Sequence, residues 1–227
     1  MHLVLSGEGN SDIGKLSYTN NTFKPAPMYH LIDKVIEQKL GYSFYDLTPN
    51  SITFIPKAEL IKKCKSIRSF VGKNKKQETA LFYKNAKGLS KIAKEVCKTK
   101  KDEDAIVVLF RDSDIHSHDK KIQSIENAFQ EENIKGVGMI PKPKSEAWLI
   151  CALKDKKYQN CKQLENRSGN DDSPNNLKDE LKEILEKKNK EYYDINNMIK
   201  NDSIEIDINK IDMSSFLYFK NKLENLL

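Results

Sequence analysis

The sequence predicts an α/β domain, a mainly parallel sheet flanked by helices, with a helical appendage at its C-terminal end. Three observations carry this. Ala105 to Phe110 (AIVVLF) is a continuous apolar, β-branched run, as in a central strand buried on both faces. Short β-rich runs alternate with segments of helical spacing, the order that builds parallel sheets. After about residue 160 only polar linker and helical periodicity remain. The chain has 227 residues, the size of one domain or one domain with a small appendage. Its 38% hydrophobic content is enough to enclose a core without disulfides.

In chain order, His2 to Ser6 reads as a strand. It runs into a polar, glycine-containing loop, Gly7-Glu8-Gly9-Asn10-Ser11-Asp12. Residues 15–27 are polar with two prolines and read as a loop. Met28, Leu31, Ile32, Val35, Ile36 and Leu40 recur at helical spacing, and Gly41 ends that helix. Ile52 to Ile55 reads as a second strand, stopped by Pro56. Residues 57–101 are helical in pattern and strongly basic. The central strand ends in Arg111-Asp112-Ser113-Asp114. A helix over about 119–132 places Ile122, Ile125, Ala128 and Phe129 on one face. Val137 to Ile140 reads as a short strand, followed by Pro141-Lys142-Pro143-Lys144 and a helix from Ser145 to Leu153. A polar linker over 160–176 precedes two or three helices. The last begins near Ser214 or Ser215 and carries Phe216, Phe219, Leu223 and Leu226. The expected division is an α/β domain over 1–155, including a basic helical insertion at about 57–101. A linker and helices over 156–227 pack on the same domain.

Composition excludes some classes. No apolar run reaches the roughly 18 residues of a membrane helix. The apolar stretch at the N-terminus is too short for a signal peptide and lacks a basic lead. The expected place is the cytoplasm, with no membrane partner. The four cysteines, Cys64, Cys97, Cys151 and Cys161, include no CxxC pair and no histidine at finger spacing. Neither a zinc site nor a disulfide is expected, and Cys97 and Cys151 read as packing residues.

Two acidic clusters follow apolar strands: Glu8 and Asp12 after the first, Asp112 and Asp114 after the most buried. Functional groups of open α/β sheets collect at the carboxyl ends of strands. Carboxylates gathered there form an oxygen-rich cradle suited to Mg²⁺ or Mn²⁺. Without a cation they repel and raise one another's pKa. Alternatively, Asp112 and Asp114 only cap the helix that begins nearby. Glu8 lies between glycines, which permit close approach of backbone or ligand and favour the metal reading.

Glu-Gly-Asn-Ser-Asp after a first strand, then a strand ending Arg-Asp-Ser-Asp, resembles the Toprim fold of topoisomerases, primases and related nucleases. In that family a strand-one glutamate and a DxD pair bind divalent metal, and the glutamate is a proposed general acid or base. The resemblance places those roles on Glu8, Asp112 and Asp114. Pro141-Lys142-Pro143-Lys144-Ser145-Glu146-Ala147-Trp148-Leu149 is similar to the "P…EAWL" motif of Toprim-like proteins encoded beside bacterial and phage defence genes. The polar loop, the helix Pro174 to Lys178, the Tyr-rich segment and Ser214-Ser215-Phe216 also fit that group. The interval between Glu8 and Asp112 is longer and more basic than in compact Toprim domains. The resemblance implies a role in phage defence, with an ATPase subunit as a possible partner.

Several residues carry two readings. Glu146 is either a fourth carboxylate at the metal or a helix N-terminal charge behind a Ser145 cap. Trp148 is a core residue or a stacking platform. His116 and His118 serve proton transfer or form a solvated turn. His30 is a surface or satisfied core histidine. Arg111 steers a phosphate or pairs with a neighbouring acid.

Net charge is +6, but it is uneven. From Lys57 to Lys101 there are 15 basic and 3 acidic residues. Such concentration is the footprint of phosphate-backbone binding, although a lysine face can also merely solvate a helix. Phe70, Phe82 and Tyr83 are interleaved there, as stacking groups or as core. Arg68 to Lys76 is the expected contact loop, through Arg68, Lys73, Lys75 and Lys76, joined by Arg111, Lys142 and Lys144. The leading expectation is a Mg²⁺- or Mn²⁺-dependent nuclease, with Glu8, Asp112 and Asp114 as catalytic residues and Asp12 and Glu146 as further ligands. The alternatives are a haloacid-dehalogenase-like phosphatase, whose pattern His116 breaks, and a non-catalytic binding or sensor subunit.

Overall fold

The computed structural model describes residues 1–17, 19–20, 22–68, 77–101, 104–113, 117–200 and 206–227. The chain runs β1 (His2–Gly7), β2 (Gly14–Leu16), β3 (Phe23–Pro25), α1 (Pro27–Leu40), α2 (Phe44–Leu47), β4 (Ile52–Ile55), α3 (Lys57–Cys64) and α4 (Gln77–Lys100). It continues through β5 (Ala105–Phe110), α5 (His118–Glu131), β6 (Lys135–Met139), α6 (Ser145–Leu153), α7 (Cys161–Leu164), α8 (Leu177–Lys187), α9 (Asp194–Lys200) and α10 (Ser214–Leu226). Four strands form an all-parallel sheet in the order β4-β1-β5-β6. Helices cover both faces, an architecture compatible with a Rossmann-like fold.

Strand alternation builds the two layers. Leu3, Leu5, Ile106, Val108 and Phe110 point to a core shared with α1, α6, α8 and α10. Val4, Val107 and Leu109 point to a second core shared with α3, α4 and α5. All six residues of β5 are buried, so it has no polar face. Helix α1 starts with Pro27 in its first turn and stops at Gly41, whose φ of 82° is left-handed.

The C-terminal helices belong to the first layer. α8 packs on α6, α9 and α10 pack on α1, and α10 also meets β6. Trp148 anchors this closure. It is fully buried, its Nε1 donates to Ser215 Oγ at 2.9 Å, and its ring meets Phe216 edge-on at 5.0 Å. Among the described residues, no helix is long and apolar enough to cross a membrane.

The structure corrects several expectations. Residues 14–25 are not simply loop, because β2 and β3 pair antiparallel. Strands of three residues carry no readable period, and aromatic packing holds this pair. Phe23 stacks on Phe54 and meets Tyr29 edge-on, each at 5.0 Å. β6 begins two residues earlier than its apolar run, at Lys135. The Phe129 ring lies over Gly136, where a Cβ would stand 2.7 Å from it. Cys151 and Cys161 form a disulfide, contrary to the expectation of none, and so Cys151 is not simply a packing thiol. The bond joins the end of α6 to the start of α7, ten residues on, a pairing set by tertiary approach. His30 is buried, and its Nδ1 has no hydrogen-bond partner among the described residues, so it is not a satisfied core histidine there. Burial lowers its pKa to about 4.

The basic interval is partly neutralised by the fold. Lys87 pairs with Glu131 at 2.7 Å and Lys94 with Glu132 at 2.9 Å, joining α4 to α5. Lys63 pairs with Glu95 at 2.6 Å across α3 and α4. Phe82 and Tyr83 are buried core residues, not exposed stacking platforms.

Candidate active site at the sheet switch point

From β1 the chain moves to β4 on one side, then crosses back to β5 on the other. The carboxyl ends of β1 and β5 therefore flank a topological switch point, where open sheets leave a crevice. The loops after β1, β5 and β6 all meet there.

The first loop places Asp12. Gly9 has a φ of +81°, and a Cβ on it would stand 2.0 Å from Asp12 Oδ2. The missing side chain is the space the carboxylate occupies. The second loop continues the edge of β5. Arg111 N donates to Met139 O and Ser113 N to Pro141 O, both at 3.1 Å. Asp112 thus arrives at the start of α6, where its Oδ1 accepts from Ser145 N at 3.0 Å. It caps α6, not the following helix α5, whose cap residue Ser117 makes no side-chain cap bond. Ser145 is itself inside the first turn, and α6 has no local side-chain cap. A carboxylate from another strand fills that role.

Ser145 Oγ stands 3.3 Å from Asp12 Oδ1 and 3.4 Å from Glu146 Oε2, and its single proton serves one at a time. The Tyr192 hydroxyl donates to Asp12 Oδ1 at 3.4 Å. Asp12, Asp112, Glu146 and Tyr192 line one pocket of about 880 Å³, whose outer wall is α8. Burial, then the charges of Glu146 and Asp12, push Asp112 up to about 8, against the Ser145 N–H that favours its ionised form. Burial, then Glu146, push Asp12 up to about 6, although Ser145 and Tyr192 oppose this. Burial and the same carboxylates raise the Tyr192 hydroxyl, so it stays protonated.

Glu8 stands somewhat apart. Its Oε2 accepts from Arg111 Nη1 at 2.8 Å and lies 3.5 Å from Lys57 Nζ. Its charge weighs less on Asp12 and Asp112 than that of Glu146. Arg111, expected as a phosphate contact, is only 5% exposed and is spent on Glu8, and its Nε has no partner among the described residues. Lys144 lines the pocket but is tied to Asp171 at 2.6 Å; burial pulls its pKa down, and Asp171, Glu146 and Asp112 together raise it above the ordinary value. Lys142 is half-buried near His118, and Arg68 is exposed. Asp114, His116, Phe70, Lys73, Lys75 and Lys76 lie outside the described residues.

Sequence reasoning gave no role to Tyr192, or to Ser145 as a partner of Asp12 and Asp112. It also missed the support beneath the site. Lys121 is buried and donates to the Ser113 carbonyl, while Ser113 Oγ meets His118 Nδ1 at 2.9 Å. A lysine in the middle of a helix gave no signal that it would be buried.

Among the described residues, no group of three or more His, Cys, Asp or Glu side chains stands ready to hold a metal ion as placed. The donor chemistry still fits a hard divalent cation. The pocket offers oxygen ligands, Gly9 makes room for one of them, and like charges there hold protons that a cation displaces. No protein-family model, curated protein or solved structure matches the chain.

Proposed function

We propose that this chain is a divalent-metal-dependent phosphodiester hydrolase acting on nucleic acid, built on a Toprim-like core. One observation carries the reading. Three carboxylates, Asp12 and Asp112 from the loops after β1 and β5 and Glu146 from the first turn of α6, converge on one pocket at the switch point of a parallel sheet, two of them with raised pKa values. Such groups repel one another unless a cation joins them.

Asp12, Asp112 and Glu146 would hold Mg²⁺ or Mn²⁺, with Glu8 and Asp114 added by the Toprim resemblance. When bound, the ion supplies charge neutralisation at the phosphate and an acidified water. The chain's own groups do the rest. Ser145 N–H orients Asp112, and Tyr192 and Ser145 orient Asp12. Arg111 and Lys57 hold the Glu8 carboxylate in place beside the pocket, where the resemblance assigns it the general-base role. Lys144 adds positive charge on the pocket floor. The resemblance adds a setting in phage defence.

The test is cleavage of plasmid DNA, single strands and RNA with Mg²⁺ or Mn²⁺, comparing wild type with Asp112→Asn and Glu8→Gln. Metal-dependent cleavage should fall by about 100-fold or more in Asp112→Asn, since even outer-shell partners of a metal are worth 10- to 100-fold. Equal cleavage by wild type and Asp112→Asn would remove the site from the chemistry. Cleavage unchanged in Glu8→Gln would remove Glu8 from the base role alone.

A further inference from the structure

The pocket has two unlike walls. One is the carboxylate edge of the sheet. The other is a face of α8, where Lys178, Leu181, Lys182 and Leu185 recur at helical spacing, with Lys190 just beyond the helix end. Lys182 has Glu186 at 3.7 Å, and Lys144 is held by Asp171. Lys178 and Lys190 are exposed and have no ion-pair partner among the described residues. Lys178 adds to the lowering of the Asp171 pKa without bonding it. The basic helix α4, by contrast, lies on the other layer of the sheet, with Lys87 and Lys94 committed to α5.

Size limits the occupant. A pocket of about 880 Å³ is in the range that encloses a small ligand, and a duplex about 20 Å across does not enter it. Leu181 and Leu185 lie buried beneath that wall, so the lysines are what α8 presents to the occupant. Acidic side chains outnumber lysines on the lining, so an anion is repelled until a cation neutralises the sheet edge.

The geometry points to a nucleoside phosphate as the occupant, its phosphate held from the α8 side by Lys178 and Lys190 and its binding coupled to a divalent cation at the carboxylates. This deepens the hydrolase reading and rests on it for the cation. The phosphate belongs either to a free nucleotide or to an unpaired strand end. The C-terminal helices therefore form the substrate-binding half of the site.

The experiment uses the full chain and fluorescence anisotropy, with Ca²⁺ in place of Mg²⁺ to limit turnover. The probes are a fluorescent adenosine diphosphate and a labelled short single strand, with a blunt duplex as competitor. Lys178→Gln/Lys190→Gln should weaken binding about tenfold and lower the salt slope by about 1.4, whereas Lys98→Gln/Lys100→Gln should change affinity less than about twofold. The tighter of the two probes identifies the source of the phosphate. Wild-type affinity in Lys178→Gln/Lys190→Gln, or equal competition by the duplex, overturns the inference. Binding that depends on these lysines without cleavage of any substrate keeps the inference and sinks the hydrolase reading. Cleavage that is indifferent to them does the reverse. Affinity equal in Ca²⁺ and in chelator overturns the coupling to the cation.

Discussion

Two helices in this protein lack a local cap and borrow a distant carboxylate, with opposite electrostatic results. Asp112 receives Ser145 N at the start of α6. Glu165 receives Ser214 N at 3.1 Å and Ser215 N at 2.7 Å at the start of α10, together with the Ser214 hydroxyl. Both carboxylates occupy the positive end of a helix, where negative charge is favoured. Burial pushes Glu165 upward, but its bonds to Ser214 and Ser215 outweigh this and its pKa falls. Asp112 has one backbone bond, and burial first, then the charges of Glu146, Asp12 and Glu8, raise its pKa to about 8. The difference lies in the donors that offset burial at Glu165 and the like charges that add to it at Asp112. One has its lone pairs filled by donors, and the other is left with unmet demand for positive charge. The first is a structural device, and the second is the carboxylate we propose at the metal site.

The largest stability effect should come from the satisfied partner. Glu165→Ala strands two backbone donors, that of Ser215 buried, and a hydroxyl, and should cost about 2–4 kcal/mol in urea unfolding. Metal affinity should be unchanged. A loss of metal affinity as large as that of Asp112→Asn would erase the distinction between the two caps.

Asp112→Asn should act in the opposite direction. Its carbonyl oxygen keeps the Ser145 bond while the like-charge repulsion disappears. At pH 8 without divalent cation it should gain on the order of 1–3 kcal/mol, the usual sign for a residue whose local strain serves function. The pH dependence follows the two shifts. Asp112 rises from 3.8 to about 8 on folding, so its contribution is present below about pH 4 and lost as pH climbs to about 8. Glu165 falls below its ordinary 4.5, so its contribution is present above that pH and lost on acidification. Thermal melts from pH 4 to 9 should show a falling alkaline limb in wild type that flattens in Asp112→Asn. Parallel limbs in the two proteins would count against the raised pKa.

A smaller effect is expected at Gly9. Gly9→Ala forces a side chain into a left-handed turn and into the space of Asp12 Oδ2, for a cost of about 1–2 kcal/mol. Its signature should be weaker Mg²⁺ binding by calorimetry, not a large change in fold. Unchanged affinity would mean that Asp12 is not a ligand.

The framework was legible where periodicity is strong. AIVVLF marked β5, and Met28 to Leu40 with Gly41 marked α1. The positions of Asp12 and Asp112 followed from the rule that strand ends gather function. What failed to show was tertiary. Ser145 reads as a local cap, yet it faces Asp112 from 33 residues away. Tyr192 reaches Asp12 across 180 residues, and Glu165 reaches α10 across about fifty. No local pattern encodes which loops meet. The charge of the 57–101 interval is partly spent inside the fold, because Glu131 and Glu132 of α5 pair with Lys87 and Lys94 on α4.

The most direct test is a carboxyl-carbon NMR titration of Asp112 with and without Mg²⁺. A midpoint near pH 8 is expected in metal-free protein, set first by burial and then by the charges of Glu146 and Asp12. Mg²⁺ should move it down by at least about one unit, because the ion binds the ionised form. A midpoint near 4 that Mg²⁺ leaves in place would make Asp112 an ordinary helix cap, like Glu165, and contradict the assignment of the site.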